Sequence, residues 1–233
     1  MSDLLQSNML ECATMKLVIL AAGLGSRLRQ ESGRRPKSLL DVGGVSLFDR
    51  LVDLAGFIGL EPVVVTRPEF VADFRRPGVD VLVEETPHIL VTLANACRRL
   101  PSEPLCWVGA DMLFTDPAPL KELVELQLAS DSFCSLIYCR TDRFKAKLEL
   151  TPEPAVTVVR GGTFDLSIPD FVVQSARVAP WLPGGWEDPR TNFLQRALER
   201  GERLYFREYA APIFEIDTPA DLEEARRYFA RCA

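Results

Sequence analysis

The run Leu20-Ala21-Ala22-Gly23-Leu24-Gly25-Ser26-Arg27-Leu28, followed by Pro36-Lys37, combines two things that phosphate chemistry requires. Small residues directly after an apolar stretch let backbone N–H groups come close to a ligand. Arg27, Arg29, Arg34, Arg35 and Lys37 follow at once, opposed only by Glu31. Guanidinium and ammonium groups at that density can neutralise a polyphosphate. The pattern is neither a Walker A motif nor a dinucleotide-binding motif, because Leu28 stands where the third glycine of the latter would be. A solvated basic loop is the plain alternative. Two carboxylates supply the complementary charge. Asp111 closes the apolar run Leu105 to Ala110, and Asp217 closes Ile213 to Ile216. Taken singly, each could be a turn or a helix cap. Together they suit Mg²⁺, a hard cation held by few protein oxygens and by substrate phosphates. The last helix does not need Asp217, since Thr218 and Asp221 form an acidic capping box with Pro219 at the first helical position.

These residues need elements to position them. Lys16 to Leu20 reads as a buried strand running into the glycine-rich loop. Ser46 to Gly59 has helical apolar spacing, with Ser46 as N-cap. Pro62 to Thr66, Val79 to Val83 and Leu105 to Ala110 read as further buried strands. Helices are expected at His88 to Leu100 and Pro119 to Leu128, with a short helical piece around Glu69 to Phe74. The alternation predicts an α/β fold with one doubly wound, mostly parallel sheet. From Ser132 the texture changes to short strands at Cys134 to Cys139, Lys145 to Leu150, Ala155 to Arg160 and Phe171 to Gln174. Turns are expected at 151–154 and 160–163. A helix at Thr191 to Arg200, strands at Arg203 to Tyr209 and Ile213 to Ile216, and the closing helix complete the chain. The organisation expected is an N-terminal extension, 1–15, disordered, and one domain, 16–233, with a small antiparallel insertion at about 132–190.

The chain has 233 residues with 27 Lys+Arg against 33 Asp+Glu, a net charge of −6. Apolar residues at 47% exclude a disordered or fibrous chain. The acidic balance argues against nucleic acid as a partner. No apolar run is long enough for a transmembrane helix, and the polar N-terminus lacks a secretory pattern, so no membrane partner is expected and the reading is cytoplasmic. Cys12, Cys97, Cys106, Cys134, Cys139 and Cys232 form no CxxC pair and read as free thiols. A single histidine leaves little room for a His-based metal site or a Ser-His-Asp triad.

The run LVILAAGLGSRL…RPKSLLDVGGVSLFDRLVDL and the closing EIDTPADLEEA closely resemble the signature of the nucleotidyltransferase superfamily with a GT-A-like Rossmann fold. That superfamily includes sugar-1-phosphate nucleotidylyltransferases and small cytidylyltransferases. The resemblance implies an Mg²⁺-dependent nucleotidyltransferase that joins an NTP to a phosphorylated sugar or small alcohol and releases pyrophosphate. It implies that Leu20, Ala21, Ala22, Gly23, Leu24, Gly25, Ser26 and Arg27 wrap the nucleotide, together with Lys37, Glu85 and Thr92. Arg27, Lys37 and Asp111 would be catalytic, and Asp111 and Asp217 would hold the metal. The partners implied are an NTP, with CTP ahead of UTP and GTP, and a phosphorylated small molecule. A homodimer is compatible with the sequence.

Trp186, Glu187 and Arg190 could line the acceptor pocket, although the plain reading is a surface loop for Glu187 and Arg190 and core packing or a dimer contact for Trp186. The sequence departs from the family at Val91, where a glycine is usual, and at Glu84-Glu85-Thr86, which offers no base-reading glutamine. Alternative activities are transfer to a molybdopterin-type or isoprenoid-precursor phosphate, and a GT-A glycosyltransferase that uses an intact NDP-sugar.

Overall fold

Alternate side chains of a strand point to opposite faces, so a run with no polar member must be covered on both. Leu17 to Leu20, after Lys16, is such a run: Leu17 and Ile19 enter one buried cluster with Phe48, Leu51 and Val64, and Val18 and Leu20 enter another with Leu93, Trp107 and Phe133. The computed structural model describes residues 15–23, 25–28, 32–86, 88–100, 103–141, 143–144, 146–150, 156–160, 165–183 and 193–232. In chain order these form β1 (Lys16–Leu20), β2 (Asp41–Val42), β3 (Val45–Ser46), α1 (Leu47–Ile58), β4 (Glu61–Thr66), β5 (Asp80–Val83), α2 (Ile89–Arg99), β6 (Leu105–Gly109) and β7 (Met112–Phe114). There follow α3 (Ala118–Ala129), β8 (Cys134–Tyr138), β9 (Ala146–Leu150), β10 (Val156–Arg160), β11 (Leu166–Ile168), β12 (Phe171–Gln174), α4 (Phe193–Glu199), β13 (Leu204–Glu208), β14 (Ile213–Glu215) and α5 (Pro219–Cys232).

The central sheet has seven strands in the order β13-β8-β12-β6-β1-β4-β5. All its ladders are parallel except those of β12, which runs antiparallel to both β6 and β8. Chain order reverses beside β1: the path moves outward through β4 and β5, then returns to β6 on the other side. Open sheets bind ligands in the crevice at such a switch point, beyond the strands' C-terminal ends. The strands β10, β9 and β11 form a separate antiparallel sheet. Among the described residues no helix is long and apolar enough to cross a membrane.

The expected elements are present with boundary shifts of one or two residues. The piece around 69–74 is a 3₁₀ helix, Pro68–Phe74. The three-residue strands β7 and β11 and the β2–β3 hairpin were not anticipated from the sequence. Cys106, Cys134 and Cys139 are buried free thiols, Cys97 is half-buried, and burial pushes Cys97 up to about 11 and Cys139 to about 12. The N-terminal 1–14 and the turns at 151–154 and 161–163 lie outside the described residues.

Helix α1 shows the local logic most fully. Ser46 Oγ accepts the Asp49 N–H at 3.0 Å and donates to the Asp49 carboxylate at 2.6 Å, and Gly59 ends the helix at φ 76°. Burial raises the Asp49 carboxyl, but hydrogen bonds from Ser46 and Arg76 outweigh it and hold the group below its ordinary value. Ser46→Ala is expected to lower stability by about 1 kcal/mol near neutral pH. A carboxylate whose pKa falls on folding stabilises fully above its unfolded value, near pH 4, and loses that contribution as pH drops through the folded value. The Ser46→Ala deficit, read from urea unfolding, should therefore shrink below about pH 4.

Candidate active site

The glycine-rich segment leaves the C-terminal end of β1 and turns through a 3₁₀ helix, Ser26–Leu28. Leu28 is fully buried and anchors it. Gly25 adopts φ 56°, and a Cβ there would lie 3.1 Å from Lys37 Cβ, so position 25 needs glycine for its backbone and for its space. Lys37 opens its own 3₁₀ turn after Pro36, with Ser38 and Leu39 buried beneath it. Its ammonium lies 2.5 Å from Asp111 Oδ2 and 2.7 Å from Asp217 Oδ1. Arg27 Nη1 reaches Asp217 Oδ2 at 3.1 Å from a largely exposed position. Burial opposes the charge on Lys37, but Asp111 and Asp217 outweigh it and hold its pKa above the usual lysine value.

Asp111 follows β6. A Cβ on Gly109 would stand 2.7 Å from Asp111 Oδ1, so a side chain at 109 would force that carboxylate aside. Asp217 is brought opposite by a two-stranded ladder, in which β7 and β14 pair antiparallel with Glu215 against Met112, and Ile216 N–H donates to Asp111 O at 2.9 Å. The return segment is pinned by buried Tyr209, whose hydroxyl accepts the Thr115 and Asp116 N–H groups at 3.1 and 2.9 Å. The cap of α5 is the expected Thr218–Asp221 pair, Thr218 Oγ1 accepting the Asp221 N–H at 3.3 Å. That leaves the Asp217 carboxylate turned toward Lys37 and Arg27.

The same ladder adds a group that the sequence reading missed. Asp111, Glu215 and Asp217 each offer a carboxylate oxygen, and these lie within 4.8 Å of one another. Glu215 and Asp217 are two apart in an extended segment and so share a face, while Ile216 between them is buried. An all-carboxylate donor set at this spacing, two of whose members hold the Lys37 ammonium, fits a hard divalent cation.

Beside the charged cluster lies an open cleft of about 610 Å³. Leu20, Ala21, Ala22 and Gly23 line it, with Lys37, Asp111 and Ala110 toward the carboxylates and Thr86, His88, Ile89 and Thr92 toward α2. Thr92, expected from the sequence to contact the nucleotide, is among the residues that line this cleft. Thr86 and His88 were not foreseen, because they flank Pro87 in a connection with no periodicity. Glu85 is not brought in with these residues: its carboxylate pairs with the Arg67 guanidinium, which follows the neighbouring strand β4. Leu24, Trp186, Glu187 and Arg190 lie outside the described residues, as does the Ser26 side chain.

A protein-family model, the MobA-like NTP transferase domain, matches residues 17–182. The chain belongs to that family. It is a nucleotidyltransferase. The NTP transferase domain also has many similar solved structures. A Bacillus anthracis protein described as a glucose-1-phosphate thymidylyltransferase, in complex with sucrose, matches with TM-score 0.82 and 17% identity over 93% of this chain and 95% of that one. The inositol-1-phosphate CTP transferase of T. maritima gives 0.74 and 21% over 94% and 96%. A UTP-bound UGPase from Acinetobacter baumannii gives 0.77 and 15% over 94% of each. At these identities the likenesses establish the fold. No curated protein sequence matches. In this NTP transferase domain the basic loop, the carboxylates and the cleft all stand at the sheet edge where the chain order reverses.

Proposed function

We propose that this nucleotidyltransferase joins an NTP to the phosphate of a phosphorylated sugar or small alcohol and releases pyrophosphate. The observation that carries the reading is the placement of Lys37 and Arg27 against Asp111 and Asp217, with a Glu215 oxygen within 4.8 Å of theirs, at one end of a cleft whose other end is lined by Thr86, His88, Ile89 and Thr92. The base and ribose take that other end and the phosphates the end at Lys37. Asp111, Glu215 and Asp217 would hold Mg²⁺, which supplies positive charge against the phosphates when bound. Arg27, exposed at the mouth, reaches the leaving pyrophosphate. Lys37, deeper, holds the α-phosphate and the incoming phosphate in line. A phosphate monoester is already a competent nucleophile, so the residues position and neutralise, and none has to abstract a proton. The separate antiparallel sheet of β10, β9 and β11 would border the acceptor side.

The three structural neighbours are named for thymidylyl, CTP and UTP chemistry, and this supports nucleotidyl transfer on the shared fold. Pyrophosphate release, measured for the four NTPs against a library of sugar, polyol and amino-alcohol phosphates, tests the reading. Turnover that needs both an NTP and a phosphorylated acceptor is expected. An intact NDP-sugar serving as donor with no NTP turnover would refute it.

A further inference from the structure

The Asp221 carboxylate does more than cap α5. Its Oδ2 takes three donors: the Thr218 N–H at 2.7 Å, the Thr218 hydroxyl at 2.8 Å and the Asp217 N–H at 3.1 Å. The last of these fixes the backbone of a residue whose own carboxylate faces Lys37 and Arg27. An aspartate turns easily about its last torsion, and turning here would release that N–H. The other oxygen is what stops it. Asp221 Oδ1 is held by Arg143 Nη2 at 3.3 Å, and the same nitrogen reaches Glu224 Oε2 at 3.0 Å. Asp221 and Glu224 stand three apart on α5, where like charges repel, and Arg143 is the cation between them. Its guanidinium also stands 6.0 Å from the centre of the Phe214 ring, in the strand that carries Glu215.

Arg143 belongs to neither β14 nor α5. It lies in the connection from β8 to β9, and that connection is fastened to β11. Ser167 Oγ donates to Thr141 O at 2.6 Å and accepts the Phe144 N–H at 3.3 Å, and the Arg143 N–H donates to Thr141 Oγ1 at 3.2 Å. One side chain therefore ties the antiparallel sheet of β10, β9 and β11 to the segment that delivers Glu215 and Asp217. We propose that Arg143 is a positioning residue for the metal centre: it locks Asp221, and Asp221 keeps the Asp217 carboxylate in place beside those of Asp111 and Glu215. This rests on these three carboxylates being the metal ligands, as proposed above.

Calorimetric titration of the full chain with Mn²⁺ alone, without nucleotide, tests the role. Arg143→Met removes the cation and keeps an unbranched side chain against Phe214. It is expected to weaken Mn²⁺ binding by about tenfold, as loss of a partner behind a metal ligand commonly does. Charge alone predicts the opposite sign, because taking one cation from beside the site favours the entry of another. Arg143→Lys keeps a cation within reach of Asp221 and should bring the affinity back to within about threefold of the parent's. Arg143→Leu replaces the methionine variant if circular dichroism shows that it does not fold. Mn²⁺ binding that is unchanged or tighter in the methionine variant would overturn the proposal while leaving the metal centre standing, as would a lysine variant no better than the methionine one. If the parent itself binds no Mn²⁺, the three-carboxylate centre falls and the role of Arg143 falls with it.

Discussion

Asp111→Asn is expected to lower turnover by about three orders of magnitude or more at saturating Mg²⁺, with the fold retained. The substitution keeps the shape of the side chain and removes its charge. Lys37 would keep Asp217 as its partner at 2.7 Å, so the resting site should survive, and the melting temperature should stay within a few degrees of the parent's. What is lost is one of three carboxylates whose oxygens lie within 4.8 Å of one another. A thousandfold loss corresponds to about 4 kcal/mol of transition-state stabilisation, within reach of a single well-placed charge in a partly buried site. Steady-state pyrophosphate release at several Mg²⁺ concentrations checks this. Turnover near the parent's would remove Asp111 from the site.

Lys37→Met should move two measurements in opposite directions. Its ammonium now lies between the oxygens that would hold the divalent ion, and two cations cannot share that space. A divalent ion held by these carboxylates would displace Lys37, and the phosphates of the substrates would then take its ammonium. Removing the charge should cut turnover by about two to three orders of magnitude, as loss of one preorganised electrostatic partner commonly does. It should also tighten binding of Mn²⁺ alone by tenfold or more, measured by calorimetry without nucleotide, since the ion no longer competes with a tethered cation. Weaker activity together with unchanged or weaker Mn²⁺ binding would mean that Lys37 supports the fold of the site and is not exchanged.

Much of this arrangement could be read from the sequence because its parts are continuous. Leu20 to Arg27 runs straight from strand to loop, and Pro36-Lys37 follows within a few residues. Thr218 to Asp221 is a local capping motif, so the freedom of Asp217 to face the crevice could be argued from four neighbours. Glu215 was missed for a different reason. Its value depends on the antiparallel register of two three-residue strands, and strands that short carry no usable period. The alternation of Glu215, buried Ile216 and Asp217 was the one local sign that both carboxylates face the same way. The membership of β8 and β12 in the central sheet was also hidden, since the sequence reading put both in an antiparallel insertion at about 132–190. Glu85 was assigned to the nucleotide by its position in a family pattern, which could not show that Arg67 follows the neighbouring strand beside it.

Synthesis proceeds from one end, and the ladder between β7 and β14 gives that direction a meaning. A nascent chain completed through position 210 already contains β1, β4, β6, the basic loop and Asp111. It lacks Glu215, Asp217 and the strand that seats them about a hundred residues further along. At roughly 5–20 residues per second, several seconds separate the emergence of Asp111 from that of its two partners. Closing so long a loop costs little more than closing a shorter one, but it has to wait for the distant strand to exist. The unfinished protein can thus gather the basic loop and the cleft wall of Thr86, His88 and Thr92 while the three-carboxylate cluster is still incomplete. Competence to react is deferred until the segment after β13 has docked.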